Sequence, residues 1–206
     1  MHSPTLPKTT TLPIVETFHS IQGEGAWAGT NAFFIRLAGC DVGCWFCDTK
    51  PSWNPKRHPQ SPIADLTQSA RAANPAIVII TGGEPLMHDL TDLTQSLHAA
   101  NLRLHLETSG AYPFSGEFDW VTLSPKTFKP PHPSVYDRVN ELKVVITKPA
   151  DFEWAEQQSA LVPAPAIRYL QPEWETKESL TWILDYVLSH PQWRIGLQTH
   201  KWIQVR

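Results

Sequence analysis

Three cysteines, and no others in 206 residues, stand at Cys40, Cys44 and Cys47 in the string Cys40-Asp-Val-Gly-Cys44-Trp-Phe-Cys47-Asp-Thr. An odd set packed this tightly cannot build a disulfide framework. The C-x3-C-x2-C spacing suits one face of a cubane 4Fe–4S cluster, and no fourth cysteine is present for the remaining iron. Iron–sulfur electron carriers generally close their clusters with four thiolates. Three thiolates leave one iron open to a ligand that enters and leaves. A zinc knuckle completed by His58 or Asp48 is the structural alternative, although zinc ligands ordinarily arrive as two separated pairs. A second string, Thr81-Gly-Gly-Glu-Pro85, closes a β-branched run. Glycines there let backbone approach a ligand closely, and a plain strand-ending turn explains them equally well.

Such residues need a scaffold that brings them to one rim. Seven apolar runs read as strands: Ala32–Leu37, Ala76–Ile80, Leu102–Thr108, Trp120–Leu123, Leu142–Ile146, Ala166–Leu170 and Trp193–Gln198. Helical spacing links Ile63, Leu66, Ala70 and Ala73, and again Leu90, Leu93, Leu97 and Ala100. Asp151–Ala160 and Thr176–Ser189 read as two more helices, the latter with Leu180, Ile183, Leu184, Val187 and Leu188 on one face. The alternation predicts an α/β fold with a largely parallel sheet and outer helices. A full eight-fold barrel typically takes about 250 residues, so the expected architecture is an incomplete TIM-type barrel. Residues 14–206 form its single domain, behind a loosely attached Thr- and Pro-rich arm over residues 1–13. In parallel α/β sheets ligands sit outside the carboxyl ends of the strands. Chemistry is therefore expected at Cys40–Thr49, Thr81–Pro85, Glu107–Gly110, Ser124–Lys126, Gln171 and Gln198–Lys201.

Composition narrows the class. With 17 Lys+Arg against 20 Asp+Glu the formal net charge is −3, which argues against a nucleic-acid partner bound through a broad basic face. No apolar run approaches the roughly 18 residues of a membrane span, and Met1–Pro13 carries no apolar segment of a secretory signal. A cytoplasmic location is expected.

At the cysteine loop the sequence resembles the radical S-adenosylmethionine superfamily, whose signature is C-x3-C-x-aromatic-C after the first barrel strand, with Phe46 in the aromatic place. Gly82 and Gly83 match its GGE-like motif. The resemblance implies that the open iron binds the amino and carboxylate groups of S-adenosylmethionine, and that an electron then breaks a carbon–sulfur bond to give a 5′-deoxyadenosyl radical. Within the superfamily the chain is most similar to the 7-carboxy-7-deazaguanine synthase family. The similarity runs from about Val15 to Lys201, in Phe18-His-Ser-Ile-Gln-Gly-Glu-Gly25, Phe34-Ile-Arg-Leu37, Cys47-Asp-Thr49, Glu107-Thr-Ser-Gly110, Ser124-Pro-Lys126, Glu141-Leu-Lys143, Leu170-Gln-Pro172 and Gln198-Thr-His-Lys201. That family converts 6-carboxy-5,6,7,8-tetrahydropterin to 7-carboxy-7-deazaguanine, with loss of ammonia and ring contraction, and depends on Mg2+. The resemblance also implies an electron-donor reductase such as flavodoxin or ferredoxin, and a homodimer. A glycyl-radical enzyme activase of the same superfamily is the alternative. It would need an open rim for a protein substrate, whereas Gln22-Gly23-Glu24 and His200 favour a small molecule.

Roles follow the resemblance residue by residue, each beside a plainer reading. Ile21, Gln22, Gly23 and Glu24 match contacts to the pterin edge, which wants adjacent donors and acceptors; a Gly-flanked turn is the plainer reading. Arg36, mid-strand among apolar neighbours, matches a clamp on the substrate carboxylate, or else forms an internal salt bridge. Thr49 matches the Mg2+ ligand, since Mg2+ keeps most of its waters and takes few protein oxygens; a helix cap or turn is the alternative. Thr81 and His200 match further substrate contacts. Phe46, Asp48, Gly83, Ser109, Ser124, Pro125, Lys126 and Gln171 match the S-adenosylmethionine side. Lys126 could equally be a solvated surface lysine.

Overall fold

The computed structural model describes residues 10–205. Strands β1 (Thr11–Ile21), β2 (Asn31–Leu37), β3 (Gln60–Pro62), β4 (Ile77–Gly82), β5 (Leu104–Thr108), β6 (Trp120–Leu123), β7 (Glu141–Ile146), β8 (Ile167–Pro172) and β9 (Trp193–Ile195) form one sheet. Its order is β3-β1-β2-β4-β5-β6-β7-β8-β9. From β2 to β9 every pairing is parallel, and these are the seven strands expected from the sequence. Because β3 and β9 are the two edges, the barrel stays open, as its length predicts. Helices α1 (Ile63–Ala73), α2 (Thr91–Ala99), α3 (Pro133–Tyr136), α4 (Asp151–Ser159), α5 (Ser179–Ser189) and α6 (Thr199–Ile203) complete the fold.

The structure differs from the sequence reading at both ends of the chain. Thr11–Pro13 are not part of a loose arm: they pair antiparallel with Gln60–Pro62 at the sheet edge, while residues 1–9 lie outside the described residues. The segment from Pro13 to Ile21, for which no element was expected, continues the same strand. Its pairing with β2 shifts register between Ile14 and Glu16, and such a bulge breaks the alternation by which a strand is read. The expected strand over Trp193–Gln198 stops at Ile195, and the rim loop holding His200 is the short helix α6.

Alternation on the central strands sorts side chains into two faces. Phe33, Ile35 and Leu37 of β2, Val78 and Ile80 of β4, Leu104 and Leu106 of β5, and Leu142, Val144 and Ile146 of β7 pack outward against Leu66, Leu93, Leu97 and Ala155 of the helices. Inside the barrel a small apolar plug of Ala32, Phe34, Ile77 and Ile79 is capped by Phe18 and Trp27, with Phe18 stacked on Phe34 at 4.7 Å. Further along the same inward faces stand Arg36, Thr81, Glu107, Thr122, Lys143 and Gln171. The sheet thus has an apolar floor and a polar storey above it.

Candidate active site

The polar storey encloses a cavity of 580 Å³ at the carboxyl ends of the strands. Every residue matched to the cluster, Mg2+, cofactor or substrate lines it except Pro125, which is buried. The cysteine loop follows β2 directly. Cys40 and the Gly39 before it are packed against the end of β4: a Cβ on Gly83 would collide with the Gly39 carbonyl. Glycine is therefore required there by the fit of two backbones, a reason additional to ligand approach.

Cys40, Cys44 and Cys47 are free thiols, each half-buried. Burial pushes the Cys40 and Cys44 thiols up, so the loop favours neutral thiols until cationic iron takes the thiolates. Among the described residues no three His, Cys, Asp or Glu side chains gather closely enough to hold a single metal ion. A zinc tetrahedron has no such set to use, whereas a cubane gives each thiolate its own iron. His58 is turned away, its Nε2 at 2.9 Å from the Pro51 carbonyl, and the Asp48 carboxylate lies 3.8 Å from Lys201.

Gln171, expected on the cofactor side, is 6% exposed and its Oε1 has no partner among the described residues. A buried acceptor left open inside a cavity is what a ligand donor would satisfy. Lys126 is not a solvated surface lysine: its Nζ reaches Ser124 Oγ at 2.7 Å inside the cavity, and burial brings its ammonium down to about 8. Ser109 donates its N–H to Glu84 at 2.7 Å and its hydroxyl to the same carboxylate. Glu84, fully buried, also accepts from the Thr108 hydroxyl and from Leu86 N–H at 3.0 Å. The acidic residue of the Gly-Gly-Glu string thus ties the ends of β4 and β5 together. Thr49 caps a 3-10 turn without using its side chain, and its hydroxyl sits 3.6 Å from Cys47 Sγ.

The opposite wall is built from charged pairs that the sequence reading did not assign. Lys143 of β7, 8% exposed at its side chain, is paired with the Glu24 carboxylate and lies 3.8 Å from Glu107. Gln22 donates to Glu107 at 2.6 Å, Gln198 donates to Glu24 at 2.7 Å, and Ala26 N–H donates to Glu141 at 3.0 Å. Burial alone would push Glu24 up; the Lys143 charge and hydrogen bond, helped by Gln198 and His200, outweigh it and hold the carboxyl below its usual range. Burial would likewise lower Lys143, but the Glu107 and Glu24 charges raise it above an ordinary lysine. Thr199 N–H and hydroxyl both donate to the Gly23 carbonyl, at 2.8 and 2.9 Å. A Cβ on Gly23 would collide with His200 Nδ1, so Gly23 and His200 are in direct contact. Strand alternation points Lys143 inward, since it sits between the outward-facing Leu142 and Val144. Arg36 is bound through Nε to Glu16 at 3.0 Å. The internal salt bridge therefore exists, and it coexists with a guanidinium that lines the cavity.

A profile of the Radical SAM superfamily matches residues 34–147. The 7-carboxy-7-deazaguanine synthase of Synechocystis sp. is 55% identical over 198 residues, which cover 96% of this chain and 95% of the relative. That of Flavobacterium psychrophilum is 50% identical, covering 94% and 92%. The crystal structure of QueE from Escherichia coli superposes with a TM-score of 0.82 at 30% identity, covering 92% of this chain and 95% of that one. Three thiols after the first parallel strand, an open acceptor on the cofactor side and full-length similarity agree: the chain belongs to the 7-carboxy-7-deazaguanine synthase family of radical S-adenosylmethionine enzymes.

Proposed function

We propose that this protein converts 6-carboxy-5,6,7,8-tetrahydropterin to 7-carboxy-7-deazaguanine, with loss of ammonia. The observation that carries this reading is one cavity with three differently equipped walls: the cysteine loop, the Gln22–Glu24 edge, and Arg36. A flat amidine edge needs fixed acceptors and donors, and Gln22 and Glu24 are held by Glu107, Lys143 and Gln198 before any ligand arrives. Such pre-orientation removes side-chain ordering cost from binding. Arg36 offers a planar fork to a carboxylate. Bound at the three cysteines, the cluster with S-adenosylmethionine supplies the organic radical. Residues on this chain do the rest of the holding: Gln171, Lys126 and Ser124 face the cofactor side, and His200 lies over Gly23 beside the substrate edge.

Thr49 is proposed as the protein ligand to Mg2+, supported by a hydroxyl that caps nothing at the cavity wall. A homodimer is supported by Leu180, Leu184 and Leu188, an exposed apolar row four residues apart along α5. Free thiols at a catalytic loop suit a reducing cytoplasm, and no helix is long and apolar enough to cross a membrane among the described residues. The Gln22–Glu24 edge, paired with Glu107 and Lys143, supports a small molecule over the protein substrate of a glycyl-radical activase.

Anaerobic incubation of reconstituted protein with S-adenosylmethionine, dithionite, Mg2+ and the carboxypterin, followed by mass spectrometry, tests the reading. The expected product is 7-carboxy-7-deazaguanine, with S-adenosylmethionine consumed in less than stoichiometric amount. Cleavage of S-adenosylmethionine with the pterin returned unchanged would refute the substrate.

A further inference from the structure

Separate segments of the cavity rim meet on one side chain, Lys201 of α6. Its ammonium donates to Gln198 Oε1 at 2.8 Å, at the start of the same helix. It lies 4.7 Å from the centre of the Trp174 ring, in the segment after β8. It is also 3.8 Å from the carboxylate of Asp48, the residue that follows Cys47. Glu24, Asp48, Trp174, Gln198 and Lys201 all line the cavity. At 22% exposure the Lys201 side chain is too enclosed for a freely solvated lysine. An indole face and a carboxylate both attract a cation, and together they hold the ammonium at Gln198.

What the ammonium does there follows from the chemistry of an amide. Gln198 begins α6 without using its side chain as a cap, so both ends of the amide can serve other partners. Its Nε2 donates to Glu24 Oε1 at 2.7 Å, and its Oε1 accepts from Lys201. Turning the amide over exchanges its donor and acceptor ends. An ammonium has only donors and an ionised carboxylate only acceptors, so Lys201 and Glu24 together permit a single orientation. The reversed amide would set oxygen against the Glu24 carboxylate and N–H against the ammonium. Lys201 thereby keeps an N–H on one Glu24 oxygen while Lys143 holds the other. The carboxylate is gripped at both oxygens, one of them through an amide that Lys201 orients.

We propose that Lys201 is a positioning residue for the pterin edge: acting through the Gln198 amide, it fixes the pattern of acceptors that Glu24 presents to the substrate. Asp48 and Trp174 in turn hold Lys201, so the edge is braced against the cysteine loop and the segment after β8. The inference rests on the proposed substrate and adds to it a residue that works through another side chain.

The test is a double-variant cycle read on binding rather than turnover. Reconstituted protein is titrated anaerobically with the carboxypterin by calorimetry, with S-adenosylmethionine and Mg2+ present and no reductant. Wild type is compared with Lys201→Met, Gln198→Leu, the two together, and Lys201→Arg, and each melting temperature is recorded. Either single loss is expected to weaken binding on the order of tenfold, as for a hydrogen bond to a charged group. Because Lys201 acts through Gln198, the double variant should bind no more weakly than the weaker single variant. Lys201→Arg keeps a cation with donors only and should stay within about threefold of wild type. An additive loss of about a hundredfold in the double variant would show that Lys201 acts independently of the amide. Unchanged affinity in Lys201→Met would show that it orients nothing at the edge. A large loss of melting temperature in Lys201→Met and Lys201→Arg alike would make it structural. Each of these overturns the proposal and leaves the substrate reading standing. A wild type that binds no carboxypterin would strike the proposed function, and this inference with it.

Discussion

Lys143 is the group on which the substrate wall depends, and replacing it by Met separates two contributions. The side chain is 8% exposed and faces two carboxylates, Glu24 in contact and Glu107 at 3.8 Å. Removing one partner of a buried ion pair costs about 3–5 kcal/mol, because the remaining charge is left without compensation. Met fills a comparable volume, so cavity terms stay small. Part of the cost should appear as lost stability and part as protonation of Glu24. In the wild type burial raises Glu24 but Lys143 outweighs it and the carboxyl sits below its usual range. Without Lys143 burial dominates and the carboxyl moves above that range.

The sign of the pH dependence then reverses. A carboxyl depressed in the folded state contributes stability above its unfolded pKa, lost as pH falls through the folded value. Lys143, raised in the folded state, contributes below the ordinary lysine range and changes nothing between pH 5 and 8. Wild type should therefore weaken on acidification, whereas Lys143→Met should gain relative stability as pH falls and Glu24 protonates. A protonated Glu24 also loses a charge-assisted acceptor worth about 1.5–3 kcal/mol, raising KM for the carboxypterin roughly ten- to a hundredfold at neutral pH. Urea unfolding at pH 5 and 7.5, paired with KM over the same range, reads both effects. A variant with wild-type stability slope and wild-type KM would refute the account of Glu24.

Other residues give sharper single outcomes. Replacing Cys40, Cys44 or Cys47 by Ala should abolish the brown chromophore and all S-adenosylmethionine cleavage while circular dichroism stays near wild type, since the core lies in the strands and helices. Thr49→Val should blunt the response of turnover to added Mg2+ more than it lowers iron content, and an unchanged Mg2+ titration would move the metal elsewhere. Arg36→Lys should keep its melting temperature within a few degrees, because a lysine keeps a cation opposite the Glu16 carboxylate. Its KM should nevertheless rise at least roughly tenfold for want of a planar fork; a normal KM with a large loss of melting temperature would make Arg36 structural.

The seven parallel strands were legible because each carries an apolar outward row, and Trp120–Leu123 matches its element at both ends. β1 was not legible: Glu16, Thr17, His19 and Ser20 interrupt its apolar residues, and the shift after Ile14 moves the rest out of phase. The five residues of α6 are too few for a helical period. At the site, residue type alone exposed the cysteine loop, and the polar ends of strands exposed most of the rim. Glu107 was named only among the polar strand ends and Lys143 only within a quoted motif; neither received a role, because the partners that define one lie 85 and 119 residues away in sequence. Glu84 escaped because it sits inside a motif whose glycines drew the functional reading.

These misses share a cause in the open barrel. Seven parallel strands position the cysteine loop and the cofactor side through local β-to-loop transitions, so those residues announce themselves in sequence. The barrel stays open between its edge strands β3 and β9, and two segments that no strand pairing joins meet inside it. The loop after β1 carries Gln22, Gly23 and Glu24; the segment after β9 carries Gln198, Thr199 and His200; the Thr199–Gly23 and Gln198–Glu24 hydrogen bonds join them. The substrate wall is thus made of contacts between segments about 175 residues apart, whose strength depends on tertiary closure rather than on local pattern. On the proposed function, radical generation and substrate selection therefore reside on different parts of the fold: one on a near-local loop after the first parallel strand, the other on a seam between segments distant in sequence.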